Sequence, residues 1–222
     1  MTTDSAGSLD WRLIAGGFIL AAVLSGLSML YLDEAAARYF RETFDADTRR
    51  FFGHWVGALG KPEFYFSAAA LIAAACWIAR QRMSESSERL RRAMHGALFV
   101  IFSIASAGIL VNLLKFIIGR MRPRELLDNG LYGFTPFNTD FGMNSFPSGH
   151  SQMVWSLAVS LVLIFPRLWP YLFAFATAIA ASRFLASVHF VSDTIMGAYI
   201  GGVIPLLLKH YVYDRRGIPL RP

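Results

Sequence analysis

The sequence predicts an all-α fold: one domain, residues 1–222, built as a bundle of six transmembrane helices with an interfacial amphipathic helix after the first span. Three observations carry this. Of 222 residues, 55% are apolar and only 16% charged, with a mean hydropathy of +0.45, against roughly 45–50% apolar and about 25% charged in soluble domains. The apolar residues fall in long blocks rather than short alternations. Most of those blocks approach the about 20 residues, range roughly 17–25, that a helix needs to cross a hydrocarbon core. The composition excludes a soluble globular enzyme and a disordered chain. A net charge of +6 points to anionic headgroups or an anionic substrate rather than to nucleic acid. The single cysteine, Cys76, rules out an intramolecular disulfide.

The first predicted span covers residues 13–32, uncharged throughout. It reads as a span and not as a secretory leader, because its apolar stretch exceeds the usual length and only Arg12 precedes it. Residues 64–79 form the second, short unless its ends lie among headgroups, and residues 93–114 the third. The fourth runs from 150 to 165, closed by Pro166. Residues 168–188, interrupted by Arg183, and 194–208, followed by a Lys209 able to snorkel, complete the six.

An even number of spans puts both termini on one side. That side carries eleven basic residues: Arg12, Arg80, Arg82, Arg89, Arg91, Arg92, Arg167, Lys209, Arg215, Arg216 and Arg221. The other carries ten, of which Lys115, Arg122 and Arg183 read as chemical. Setting those aside, the positive-inside rule places the termini in the cytoplasm.

Between the first two spans, residues 35–55 interleave Tyr39, Phe40, Phe44, Phe51, Phe52 and Trp55 with Arg38, Arg41, Glu42, Asp45, Asp47, Arg49 and Arg50. This is the pattern of a helix lying in the membrane interface. A solvated loop with scattered aromatics is the alternative.

Ionisable groups at membrane depth are costly and usually functional. Four polar clusters qualify: Lys115 with Arg122-Pro123; Pro147-Ser148-Gly149-His150; Ser182-Arg183; and His189 with Asp193. Odd spans end, and even spans begin, on the face opposite the termini, so all four reach the same end of the bundle. Three cations, two imidazoles and a carboxylate there suit a doubly charged phosphate. Arg122 and Arg183 offer planar forks and Lys115 a point charge. Ser148 and Gly149 stand at a helix start whose free N–H groups favour an oxyanion, and Pro147 needs no N–H at that entry. His189 and Asp193 are four apart, so the carboxylate can fix the imidazole tautomer and leave the other nitrogen to attack phosphorus. His150 then serves as acid and base. Two other readings use the same residues. His150, His189 and Asp193 have the composition of a two-histidine-one-carboxylate metal site, although the three cations would repel the metal. An anion transporter would also use a helix terminus, although the cluster lies near one surface.

Lys115-(six residues)-Arg122-Pro123, Pro147-Ser148-Gly149-His150 and Ser182-Arg183-(five residues)-His189-(three residues)-Asp193 together resemble the three-part signature of the type-2 phosphatidic acid phosphatase and vanadium haloperoxidase superfamily, complete at every motif position over residues 115–193. The spans align the chain with its membrane lipid-phosphatase branch. The resemblance implies a metal-independent, cofactor-free hydrolase of phosphate monoesters or pyrophosphates on membrane lipids, acting through a phosphohistidine on His189, with Asp193 supporting it and His150 as acid and base. It assigns phosphate binding to Lys115, Arg122, Ser148, Gly149 and Arg183, and leaves Pro123, Pro147 and Ser182 in supporting places, Ser182 either touching phosphate or packing helices. It implies a bacterial inner membrane with the site on the periplasmic face, the lipid bilayer and a lipid phosphate as partners, and no nucleic acid or obligate protein partner. Phosphatidylglycerol phosphate, phosphatidic acid, undecaprenyl pyrophosphate and lipid A are the candidate lipids. A phosphotransferase passing the group from an isoprenyl pyrophosphate to a second lipid shares every catalytic residue and stays open, as does a non-enzymatic lipid-binding or transport role.

His54, His95 and His210 adjoin no motif and read as interfacial or loop residues. Gly197 and Gly201 have the spacing that lets helices approach closely. Asp33, Glu34 and Glu63 read as ordinary headgroup-level charges, while Arg120 and Arg124 flank the first motif and read as adding field or headgroup contact without a catalytic role. The apolar residues of 125–146 either touch a lipid or pack on the bundle.

Overall fold

The computed structural model describes residues 9–82 and 88–220, so Arg221 and part of the predicted 80–92 loop lie outside the described residues. Among those residues the chain is all helical, with no strand beyond an isolated bridge between Arg120 and Phe134. Five helices are long and apolar enough to cross a membrane, which makes the chain an integral membrane protein. The first combines α1 (Trp11–Leu27), a π-helical turn (Ser28–Leu32) and α2 (Asp33–Thr43). After α3 (Ala46–Arg50) and a second π-helical turn (Phe51–Val56) come α4 (Pro62–Arg82) and α5 (Glu88–Ile118). The short α6 (Pro123–Asn129) leads to α7 (Gly149–Ile164), α8 (Trp169–Leu185) and α9 (Val191–Leu208).

The fourth predicted span is the exception. It is α7, with 16 residues and a length of roughly 24 Å, short of a ~30 Å hydrocarbon core. The reason is its place: α7 is the central helix, packed on α5, α8 and α9, with Met153, Val154, Leu157 and Ala158 buried. Two of its serines bind the backbone of a neighbouring helix, as polar groups do inside membrane bundles. Ser151 Oγ donates to the Thr194 carbonyl at 2.7 Å and Ser156 Oγ to that of Gly201 at 3.1 Å. Gly197 and Gly201 are used here, within the chain: a Cβ on them would lie 2.5 Å from Ser148 O and 2.3 Å from Gln152 O.

The segment predicted as one interfacial helix over 35–55 is helical but broken. Its first part continues the first span as α2; the chain then turns extended at Phe44, and Asp45 caps α3 by accepting from Thr48 N–H at 2.7 Å. The cap is a stop and restart signal that the aromatic-charged alternation hides. The 125–146 stretch both packs and stays open. Thr135 N–H donates to Gly119 O at 2.7 Å and Arg122 N–H to Gly142 O at 2.8 Å, while Phe137 and Phe141 remain 68% and 64% exposed.

Candidate active site

All four polar clusters meet at one end of the bundle. After α8 the chain makes a tight turn in which His189 N–H donates to Arg183 O at 3.1 Å, and α9 restarts with Phe190 as its extended cap residue. Asp193, in the first turn of α9, reaches back: its Oδ2 accepts from Phe190 N–H at 2.8 Å and lies 3.3 Å from His189 Nδ1. A carboxylate only accepts, so Nδ1 carries the proton and Nε2 keeps its lone pair. Burial holds His189 well below the ordinary imidazole value, and the nearby Arg122 and Lys115 charges add to this against the opposing hydrogen bond from Asp193. That direction favours the uncharged ring, with Nε2 free of any protein donor's claim on its lone pair among the described residues.

The α7 start faces this pair. Ser148 caps the helix by accepting from Ser151 N–H at 3.3 Å, and its own N–H donates to Asp193 O at 2.9 Å. That bond ties the two helix starts together, while the Gly149 and His150 N–H groups lie in the first turn, beyond the internal ladder. Gly149 sits against the Lys115 stem, its ideal Cβ 4.0 Å from Cε.

The cations line the approach. Lys115 Nζ donates to the carbonyls of Asn144 and Ser145. Arg122 donates through Nε and Nη2 to Asn144 Oδ1 at 3.1 and 2.8 Å, and its guanidinium stacks 3.9 Å from the Phe141 ring centre. Burial brings Arg122 down to about 10, so it stays cationic. Arg183 Nη1 donates to Gly53 O at 2.9 Å, and its buried Nε has no protein partner. Gly57 passes close over Arg183: a Cβ there would fall 1.9 Å from Nη1, so any larger residue requires the guanidinium to shift. Each cation retains further N–H donors for an anion.

The supporting positions divide. Pro123 opens α6 and Pro147 is buried before α7. Ser182 Oγ donates to Ile179 O at 2.7 Å, a helix back-bond rather than a contact reaching the site. His54 and His210 meet Trp55 and Tyr211 edge-on.

Three residues that spacing passed over belong here. Ser145 Oγ donates to Asp193 Oδ2 at 2.6 Å and lies 3.4 Å from His189 Nδ1. Arg120, read as flanking the motif without a catalytic role, and Asp33, read as a headgroup-level charge, are buried to 1% exposure each. Arg120 Nη1 lies 2.6 Å from Asp193 Oδ1, and Nη2 lies 2.8 Å from Asp33 Oδ2. The available signal was only that Arg120 stands two residues before Arg122.

Residues 96–217 match the model of the PAP2 superfamily. With the helical bundle and the assembled motifs, this defines the class: the chain belongs to the PAP2 superfamily. Among curated proteins it is 38% identical over 120 residues to a lipid A 1-phosphatase of Rhizobium etli, covering 54% of this chain and 51% of that protein. It is 31% identical over 110 residues to an undecaprenyl-diphosphatase of Sulfolobus acidocaldarius, covering 49% and 51%. The chain thus spans about half the length of the curated relatives it matches. Among solved structures it resembles the transmembrane PAP2 type phosphatidylglycerolphosphate phosphatase from Bacillus subtilis, with a TM-score of 0.64 at 21% identity over 91% of this chain and 96% of that one. It also resembles LpxE of Aquifex aeolicus, with a TM-score of 0.59 at 24% identity over 81% and 96%. These two likenesses establish the fold.

Proposed function

We propose that the chain is a membrane lipid phosphatase, one domain over residues 1–222, that hydrolyses a phosphate monoester or pyrophosphate on a membrane lipid through a phosphohistidine. The observation that carries this is the buried His189 held through Nδ1 by Asp193 at 3.3 Å, beside three cations and a helix start. Nε2 attacks phosphorus and the bond to the lipid oxygen breaks, His150 giving that oxygen a proton. A water then gives a proton to His150 and attacks phosphorus, the Nε2–P bond breaks, and inorganic phosphate leaves. Lys115, Arg122, Arg183, the Ser148 hydroxyl and the N–H groups at Gly149 stabilise the equatorial oxygens.

Both oxygens of Asp193 are engaged, Oδ1 by Arg120 and Oδ2 by Ser145 and the Phe190 N–H. This favours a carboxylate that orients an imidazole over one that binds a metal. Two further features support a lipid substrate entering from the side. A cavity of about 420 Å³ lies between α4, α5 and α7, reaching from Gly108 and Asn112 to Gly149 and His150. The exposed Phe137 and Phe141 flank the same end. In this reading α7 is the sixth crossing element, broken α2–α3 lies in the interface, the termini are cytoplasmic and the site faces the periplasm of a bacterial inner membrane. No cofactor or obligate protein partner is needed.

The test is phosphate release by purified protein in detergent with EDTA, beside His189→Ala. The panel is lipid A, undecaprenyl pyrophosphate, phosphatidylglycerol phosphate and phosphatidic acid. Lipid A leads it because of the named activity of the Rhizobium relative. Release that survives chelator and vanishes in the variant is expected. Release abolished by EDTA overturns the mechanism, and release only on addition of a second lipid alcohol makes the protein a phosphotransferase.

A further inference from the structure

Arg120 takes no part in the steps above, yet its guanidinium sits at the back of the catalytic pair. Nη1 donates to Ser192 Oγ and Asp193 Oδ1, both at 2.6 Å; Nη2 donates to Asp33 Oδ2 at 2.8 Å and Tyr132 Oη at 2.9 Å. The Phe190 ring covers its face at 4.4 Å. Asp33 in turn accepts from the Ser192 N–H at 3.1 Å and from the Ser192 hydroxyl. We propose that Asp33 and Arg120 are positioning residues, which act through Asp193 to fix the carboxylate that sets the His189 tautomer. This rests on the reading of His189 as the nucleophile.

Asp193 presents Oδ1 to Arg120 and Oδ2 to Ser145, the Phe190 N–H and His189. With Oδ1 anchored, the carboxylate cannot rotate, and Oδ2 alone faces the imidazole. One buried guanidinium donates to both buried carboxylates, so neither is left without a cationic partner, whereas a lone buried carboxylate is strongly disfavoured. A guanidinium fits because its planar fork donates to two anions at once, where an ammonium is a single point. Burial works to lower Arg120, and the Asp193 and Asp33 carboxylates outweigh it, holding the charge permanently.

Asp33 lies outside the residues 96–217 that match the family, on the first helix and 87 positions from Arg120. It directly follows the π-helical turn Ser28–Leu32, whose closing bond runs from Asp33 N–H to Ser28 O. Such a turn shifts the helix register and often marks a functional position. Here it carries a carboxylate from a largely lipid-exposed helix into the back of the site, making the first span part of the catalytic apparatus.

The experiment compares Asp33→Asn, which keeps shape and loses charge, and Arg120→Lys, which keeps charge and loses the fork. Asp128→Asn serves as control because its pair with Arg41 is exposed. Steady-state kinetics on the lipid panel are joined by 15N NMR of histidine-labelled protein in detergent, with the His189 signals identified by His189→Gln. Wild type is expected to show protonated Nδ1 and bare Nε2. In the two variants kcat falls about 10–100-fold, as for outer partners of catalytic histidines, with KM changed less than about twofold and the His189 tautomer signals mixed; the control is unchanged. Folded variants with wild-type kcat and an unshifted His189 signal overturn the proposal. If wild type releases phosphate from no lipid, the phosphatase reading fails, and the NMR comparison alone decides the positioning role. Should Arg120→Lys not fold, Asp33→Asn decides both readouts.

Discussion

The Ser145 hydroxyl donates to Asp193 Oδ2 at 2.6 Å, from the loop that follows Arg122 onto the first turn of α9. That bond ties the loop between the first and second motifs to the third, beside the Ser148 N–H that donates to the Asp193 carbonyl. Ser145→Ala is expected to lower kcat about tenfold by loosening the carboxylate, with KM nearly unchanged. A larger effect on KM than on kcat, measured with the preferred lipid, would count against an orienting role.

Gly57 is the roof over Arg183. A methyl group there would lie 1.9 Å from Nη1, so Gly57→Ala must displace the guanidinium from Gly53 O. The expected outcome is a fall in kcat/KM of about tenfold or more, the scale of one charged hydrogen bond at roughly 1.5–3 kcal/mol. Gly16→Ala, where an added Cβ meets nothing, is expected to leave kinetics within about twofold. Equal behaviour of the two variants sinks the assignment of Arg183 to the phosphate.

The buried His189 sets a pH dependence of stability. Its folded-state value is depressed, burial being the main cause, so the native ring stays neutral where the unfolded ring takes a proton. The contribution is therefore complete above about 6.5 and is lost as pH falls, at up to about 1.4 kcal/mol per pH unit. Thermal denaturation in detergent between about pH 5 and 7.5 is expected to show that slope in wild type and a shallower one in His189→Gln. Parallel curves would refute the neutral-imidazole assignment.

The cavity between α4, α5 and α7 offers a test of lateral entry. An added Cβ at Gly108 meets only Gln152 Oε1, at 3.7 Å, so Gly108→Leu is tolerated and extends into the cavity. KM for a long-chain lipid phosphate is expected to rise about tenfold, the order of one to two kcal/mol of lost apolar contact, while a short-chain soluble analogue is turned over nearly as before. Equal loss on both substrates would place the entrance elsewhere.

Much of this was legible in the chain. Four-residue spacing points to the His189–Asp193 pair, although His189 stands just before the extended Phe190 cap and the carboxylate reaches back to it from the first turn of α9, and counting spans brings the separate motifs to one end of the bundle. The break at Phe44 was also present, as the Asp45 cap on Thr48, but the aromatic-charged alternation around it satisfied the pattern of one long helix. Arg120, Asp33 and Ser145 were not legible. Their partners lie 48 to 87 positions away, and whether a charge at a span end faces headgroups or the bundle depends on which helix packs beside it. The central position of α7 was hidden for the same reason: an apolar 16-residue stretch reads alike whether lipid or protein surrounds it.

The way α7 is held has a consequence for biogenesis. A short helix with hydroxyl groups along its buried face is a poor candidate for partitioning into lipid unaided. Its carbonyl partners at Thr194 and Gly201, and the Asp193 carbonyl that receives Ser148 N–H, all belong to α9. During synthesis from the N-terminus, α7 therefore emerges well before the residues that satisfy it. Its lodging in the membrane waits for α9, and the end of the bundle that holds the four polar clusters is closed only after that helix has followed.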